Sequence, residues 1–145
     1  MVTLQPGRVL APTDFSDQSC KAVEVALAMV ACPEQLTVLH VATPLSAFAA
    51  GDPAVIWETV SDESRSEHLQ QELRNRFSEE KFDAVKLEVL FGSPAEEIAN
   101  YAEKNQTELI VLPSRGRTGL ARLMIGSVAE RVVRLAHCPV LVLRG

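Results

Sequence analysis

Three glycines and three arginines lie close together between residues 113 and 127 of this 145-residue chain. Glycines let backbone N–H groups approach an anion closely, and Gly126-Ser127 stands where a helix is predicted to begin, an end that favours negative charge. The arginines concentrate positive charge in a chain whose formal net charge is −5. Phosphate binding and a solvated loop both fit this pattern. The residues concerned are Gly116, Gly119, Gly126, Arg115, Arg117 and Arg122.

A second group of polar residues, Pro12-Thr13-Asp14, follows the first apolar run of the chain. The Asp14 carboxylate is able to accept hydrogen bonds from ribose hydroxyls or an adenine amino group, or to bind a metal through water. An aspartate at this place also commonly caps a helix, and the two interpretations have comparable support. Val41, at the end of the second apolar run, would offer backbone and apolar contact to a base.

Short apolar runs predict the strands that must position these residues, at 7–11, 36–41, 85–90, 109–112 and 139–143. Amphipathic spacing predicts helices after Ser16, over 57–80, after Ser93 and after Ser127, with 43–56 as a surface excursion. Strict alternation of strand and helix implies one α/β domain, with a parallel sheet and helices on both faces. Ligands of such sheets bind at the carboxyl ends of the strands, so both groups are expected at one rim.

Local patterns make the predicted helices more specific. Ser93-Pro94-Ala95-Glu96 has the spacing of a capping box, in which Ser93 and Glu96 pair with backbone groups. Ser127, with Glu130 three residues later, is predicted to cap the last helix. The positions expected to be buried are Leu69, Leu73 and Phe77 in the long helix, and Val128, Val132 and Leu135 in the last one.

Composition argues against several classes of protein. The acidic net charge argues against general nucleic-acid binding. No basic n-region precedes an apolar stretch, and no apolar run is long enough to span a membrane, so a cytoplasmic protein is expected. The three cysteines form no C-x-x-C pair and are expected to be free thiols in a reducing compartment.

Signatures of catalysis are sparse. The sequence has no Gly-x4-Gly-Lys-Ser/Thr P-loop and no Gly-x-Ser-x-Gly nucleophile motif. His40, His68 and His137 lie far apart and have no partner at metal-ligand spacing. No catalytic residue and no metal ligand is therefore predicted, and efficient catalysis has no support.

Three segments together resemble the universal stress protein family: Pro12-Thr13-Asp14-Phe15-Ser16, Gly92-Ser93-Pro94, and Gly116-x9-Gly126-Ser127 with the tail Cys138-Pro139-Val140-Leu141-Val142. The chain is identified as a single UspA-like domain over residues 1–145. The resemblance implies a Rossmann-like, adenine nucleotide alpha hydrolase-like open parallel sheet of five strands in the order 3-2-1-4-5. It also implies a homodimer in which residues 140–143 pair antiparallel with their copy, as an apolar edge strand invites.

Family members that bind ATP carry Gly-x2-Gly-x9-Gly-Ser/Thr, so the resemblance implies ATP or AMP as the ligand, with Mg²⁺ accompanying ATP. Matched by position, Asp14 and Val41 would meet the adenine and Gly116 the ribose and phosphates. Gly126, Ser127 and Val128 would meet the phosphate chain. The full set of expected nucleotide-binding residues is Pro12, Thr13, Asp14, Val41, Pro113, Ser114, Arg115, Gly116, Arg117, Gly119, Gly126, Ser127 and Val128.

Pro113 departs from the family pattern, because it occupies the place of the first motif glycine. Proline has no N–H to donate and a fixed φ, so a close backbone contact would be lost there, whereas a simple turn would be kept. The favoured interpretation is a dimeric stress-response regulator that binds ATP or AMP. The alternative is a dimeric adaptor that binds no nucleotide and acts through unidentified protein partners. A slow ATPase or self-phosphorylating protein is a weaker third interpretation.

Overall fold

Five strands are present in a computed structural model of the chain, which describes residues 5–44, 62–115 and 125–144. They are β1 (Val9–Pro12), β2 (Leu36–Ala42), β3 (Lys86–Phe91), β4 (Leu109–Pro113) and β5 (Val140–Leu143). All four neighbouring pairs are parallel, in the order β3-β2-β1-β4-β5, which confirms the predicted topology. In the centre, Val9 of β1 lies opposite Leu36 of β2 on one side and Leu109 of β4 on the other.

The helices between the strands are α1 (Asp17–Met29), α2 (Asp62–Arg76), α3 (Pro94–Lys104) and α4 (Ser127–Leu135), with 3₁₀ turns at Pro33–Gln35 and Glu80–Phe82. α1 begins as predicted, because the Ser19 N–H donates to Ser16 Oγ at 3.2 Å. Asp17 in its first turn adds a negative charge at the positive end of the helix dipole. Within the described ranges, no helix has the length and apolar character that crossing a bilayer would require.

Successive residues of β1 face two separate cores, one on each side of the sheet. Val9 and Ala11 pack with α1 and α2, whereas Leu10 packs with α3 and α4. This alternation follows from the two-residue period of a strand. The predicted two-sided arrangement of helices is therefore confirmed, and each strand of the centre is covered on both faces.

The prediction of a long helix over residues 57–80 is wrong at its C-terminal end, because α2 ends at Arg76. The chain turns at Phe77, and its ring packs edge-on against Phe82 with centroids 5.2 Å apart. Both rings are buried, so this apolar contact favours the turn over a further helical turn. Leu73 and Phe77 are buried as predicted, and Leu69 is half-buried. The predicted helix start at 57 and most of the 43–56 excursion lie outside the described residues.

The capping box predicted for α3 is also wrong. Ser93 is the N-cap residue, but its side chain makes no capping hydrogen bond. Glu96 instead accepts a hydrogen bond from Arg131 of α4, with 2.6 Å between Nη2 and Oε1. Gly92 has φ 151°, and a Cβ there would lie 2.7 Å from Cγ of Glu97, which accounts for a glycine at this position.

α4 begins one residue earlier than predicted, because Gly126 and not Ser127 is the N-cap residue and Ser127 is the first helical residue. The Glu130 N–H donates to the Gly126 carbonyl at 3.0 Å, which sets this boundary. The buried residues of α4 are Ala129 and Val132. The expected burial of Val128 and Leu135 is wrong, since they are 40% and 38% exposed. α4 packs against α3, whose buried residues are Ala95, Ile98, Ala99 and Ala102.

Candidate functional site

A cleft of about 240 Å³ opens at the carboxyl ends of β1, β2 and β4. β1 and β4 are neighbours; β2 and β3 follow on the side of β1, and β5 follows on the side of β4. The boundary between β1 and β4 is therefore the switch point, where parallel sheets bind ligands. The cleft is therefore in the place that the sequence predicts. Its lining residues are Pro12, Thr13, Asp14, Ser19, Leu39, Val41, Pro94, Ile98, Leu112, Pro113, Ser114, Gly126, Ser127, Val128 and Ala129.

Buried hydroxyl groups hold the loop that follows β1. Thr13 Oγ1 lies 2.8 Å from Ser19 Oγ, and both residues are almost fully buried. The Ser19 hydroxyl donates to the Ser16 carbonyl at 2.9 Å, and a hydroxyl has one proton, so Thr13 is the donor to Ser19. Thr13 Oγ1 in turn accepts from the Phe15 N–H at 3.0 Å. The hydroxyls thus pair among themselves and fix the start of α1 against the end of β1.

Asp14 lies inside this loop, at the rim of the cleft. Its Oδ1 accepts a hydrogen bond from the Ser16 N–H at 3.0 Å, which closes an Asx turn. The residue is partly exposed. Asp14 therefore orders the approach to α1, where Ser16 is the N-cap residue, and it also lines the cleft.

The N-terminus of α4 also lines the cleft. Gly126 contributes no side chain to cap the helix, and its backbone is extended, with φ −63° and ψ 157°. The N–H groups of Ser127, Val128 and Ala129 have no acceptor within the helix, because the first helical bond runs from Glu130 to Gly126. The helix dipole adds partial positive charge at this end. The wall is thus suited to an anion.

Ser114 connects this wall to the sheet. Its carbonyl accepts from the Gly126 N–H at 2.6 Å, and its own N–H donates to the Leu143 carbonyl at 2.8 Å. The Gly126 amide therefore already has an acceptor within the protein. Pro113, just before, ends β4 opposite Leu143 and contributes apolar surface to the cleft.

The structure brings the sequence-predicted residues together at one rim, with one exception among those it describes. Pro12, Thr13, Asp14 and Val41 form one wall, and the remaining described members lie around β4 and α4. Arg115 is not a lining residue. The predicted residues Gly116, Arg117 and Gly119, together with Arg122, lie outside the described residues.

Sequence reasoning missed the apolar floor of the cleft and one buried hydroxyl. Leu39 is two residues before Val41 on β2 and lies on the same face of the strand. The two-residue period of a strand is therefore a sequence signal that identifies Leu39 as a lining residue. The other missed residues, Ser19, Pro94, Ile98, Leu112 and Ala129, reach the cleft through tertiary packing, for which the sequence gives no local signal. Within the described ranges, no group of three or more His, Cys, Asp or Glu side chains is placed to hold a metal ion.

Comparison with known proteins assigns the chain to a family. The family model described as the universal stress protein family matches residues 6–144. Universal stress protein MJ0531 of Methanocaldococcus jannaschii is 37% identical over 139 residues, covering 94% of this chain and 81% of the relative. Universal stress protein YxiE of Bacillus subtilis is 32% identical over 146 residues, covering 95% and 99%.

Solved structures have the same fold. MJ0577, from the same Methanocaldococcus, superposes with a TM-score of 0.76 at 26% identity, covering 97% of this chain and 96% of the other. A universal stress protein in complex with cAMP gives a TM-score of 0.66 at 22% identity, covering 96% and 97%. An Arabidopsis thaliana family protein with AMP bound gives 0.59 at 18%, covering 95% and 91%. On the family match and these relatives, the chain belongs to the universal stress protein family.

Proposed function

We propose that the chain binds an adenine nucleotide, AMP or ATP, in the cleft at the switch point and acts as a cytoplasmic, dimeric regulator of a stress response. The observation behind this proposal is that a helix N-terminus without a side-chain cap and the Asx turn that holds the Asp14 carboxylate line the same cleft. A nucleotide has the matching polarity, with an anionic phosphate at one end and a flat base with hydrogen-bond donors at the other.

The wall formed by β1 and β2 suits the nucleoside. Val41 and Leu39 provide apolar surface for a base, and Asp14 provides an acceptor for an amino or hydroxyl group. The Asx turn at Asp14 and the Thr13–Ser19 hydroxyl pair hold this acceptor in place before a ligand arrives. A site ordered in advance lowers the entropy lost on binding.

The N-terminal turn of α4 suits the phosphate. The aligned N–H groups of Ser127, Val128 and Ala129 would donate to an anion in the cleft. Such backbone donors bind phosphate without the help of a basic side chain. Since the described residues contain no acidic cluster that would hold a metal, Mg²⁺ would arrive bound to ATP. The two fold relatives solved with cAMP and with AMP support an adenine nucleotide as the first ligand to test.

We propose further that β5 forms the dimer interface. Its four residues, Val140–Leu143, are apolar and half-buried, and in the part of the chain that the structure describes β5 pairs with β4 along one edge. An exposed apolar edge strand is a template for another strand. Light scattering of the protein after size exclusion tests the dimer, and replacement of Leu141 by lysine or proline is expected to yield monomer.

A second candidate, the dimeric adaptor that binds no nucleotide, is favoured by one observation. Pro113 lines the cleft at the end of β4 and has no N–H to offer a phosphate. If this position must donate, the cleft binds nucleotides poorly and the functional surface lies on the outside of the dimer.

Isothermal titration with AMP and with ATP–Mg²⁺ separates the two candidates, after denatured protein has been checked for co-purified nucleotide. Two variants of α4 form a matched pair: Val128→Asp places a charge in the cleft wall, and Val133→Asp places it on a similarly exposed site outside the lining. The Val128 variant is expected to weaken binding at least about tenfold, because its carboxylate faces the phosphate. Equal effects of the two variants, or no binding by the wild type without co-purified nucleotide, would contradict nucleotide binding in this cleft.

A further inference from the structure

His40 lies in β2, immediately before the cleft-lining Val41, and its ring reaches back to the loop after β1. We infer that His40 is a positioning residue for Asp14, which holds the Thr13–Asp14 peptide so that the carboxylate faces the nucleoside end of the cleft. The inference rests on the proposed function for the identity of the ligand. The positioning itself is measurable without any ligand.

The hydrogen bond from His40 fixes one side of the peptide. Its Nδ1 lies 2.8 Å from the Thr13 carbonyl oxygen. A carbonyl oxygen only accepts, so Nδ1 is the protonated nitrogen of the ring. The Thr13 N–H donates to the Leu39 carbonyl, also at 2.8 Å. β2 therefore binds Thr13 at both its N–H and its C=O, and the plane of the following peptide is set.

The ring of His40 also packs on the residue after Asp14. The rings of Phe15 and His40 have centroids 4.7 Å apart, at 51° to each other. Phe15 has φ 67°, a left-handed conformation that a bulky residue keeps only where its surroundings hold it. The Phe15 ring packs against the core beneath α1, and His40 covers another side of it. One side chain thus braces both neighbours of Asp14.

Asp14 has little freedom between these two fixed residues. Its Oδ1 accepts from the Ser16 N–H, so the Asx turn depends on the backbone geometry that His40 supports. His40 does not line the cleft, whereas Asp14 and Val41 do. Its action on a ligand would therefore pass through the backbone of Thr13 and Asp14, and not through direct contact.

The first test needs no nucleotide and reads the Asx turn by amide hydrogen exchange. His40→Phe keeps an aromatic ring and removes the donor, His40→Asn keeps a donor at the place of Nδ1, and His68→Phe makes the same change on the exposed side of α2. His40→Phe is expected to lower the protection of the Ser16 amide about tenfold more than that of α4 amides. His40→Asn is expected to restore most of the protection. Ser16 protection unchanged in His40→Phe would overturn the inference.

The second test reads the ligand, by titration with AMP and with inorganic pyrophosphate. His40→Phe is expected to weaken AMP by about fivefold to tenfold and to leave pyrophosphate unchanged, because pyrophosphate needs only the α4 end. Equal weakening of both ligands would indicate general destabilisation and overturn the inference. A wild type that binds neither ligand, with the Ser16 result as expected, would refute the proposed function and leave His40 as the residue that orders Asp14.

Discussion

Aspartate at position 126 should make the fold more stable, and its binding of nucleotide weaker, than alanine at the same position. Gly126 is the N-cap residue of α4, in an extended conformation that any residue adopts, and it offers no side chain to the first-turn amides. An aspartate there would accept from those amides and place a negative charge at the positive end of the helix dipole. The same carboxylate would occupy the anion site in the cleft wall.

Gly126→Ala is the control, because it adds the same Cβ at this buried residue without an acceptor. An N-cap aspartate is worth about 1 kcal/mol over alanine, which corresponds to about 2–4 °C in Tm for a chain of this size. Urea and thermal denaturation of the two variants measure this difference. In titrations with AMP, the aspartate variant should bind at least about tenfold more weakly than the alanine variant, because like charges meet.

Two results would refute the reasoning. If Gly126→Asp were less stable than Gly126→Ala, the N-terminus of α4 would not have the open amides described above. If Gly126→Asp bound AMP as tightly as Gly126→Ala, the phosphate would lie elsewhere, and the base end of the cleft alone would account for binding.

Three further predictions concern the burial of Leu10 and of Cys138. Leu10→Ala should lower the free energy of unfolding by about 2–5 kcal/mol, because the Leu10 side chain is fully buried between the sheet and the α3–α4 layer. Val25→Ala, at a residue that is 37% exposed, is the control in urea denaturation. An equal loss of unfolding free energy in both variants would contradict the two-core description. Burial raises the pKa of the Cys138 thiol, so Cys138 should react with Ellman's reagent more slowly than the exposed Cys32. Because the pKa of Cys138 is higher in the folded state, the thiol of the unfolded chain loses its proton first as the pH rises. The free energy of unfolding should therefore fall as the pH rises above 9.0, the ordinary pKa of a thiol. A denaturation series in which Cys138→Ser lost as much stability at alkaline pH as the wild type would contradict this.

The sequence predicted the strands, the helices and the parallel sheet because the signals that set them are local. Short apolar runs place each strand, and strict alternation of strand and helix implies a parallel sheet with helices on both faces. The rim where the ligand is proposed to bind follows from the parallel strands, whose carboxyl ends lie together, and Asp14 and Gly126 follow from their places after β1 and before α4. The strand order 3-2-1-4-5 came from the family resemblance and not from the local pattern.

Errors occurred where a residue had two possible partners and tertiary contacts decided between them. Glu96 has the spacing of a capping residue, yet it pairs with Arg131, which is 35 residues away in sequence. Val128 has the apolar character of a core residue, yet it is exposed and its neighbour Ala129 is buried instead. The spacing of His40 in the sequence indicates no metal site, and its partner is the backbone carbonyl of Thr13, which no side-chain pattern reveals.

The hydrogen bond between Gly126 and Ser114 changes the number of donors that this helix end offers. Four N–H groups at the start of an α-helix lack an acceptor within the helix, but here the first of them is bound to Ser114 at 2.6 Å. An incoming phosphate therefore meets three amides, and gaining the fourth would mean exchanging one acceptor for another with little net free energy. Phosphate groups beyond the first would therefore gain little from the first turn of α4, and a preference for ATP over AMP would have to come from residues other than these amides.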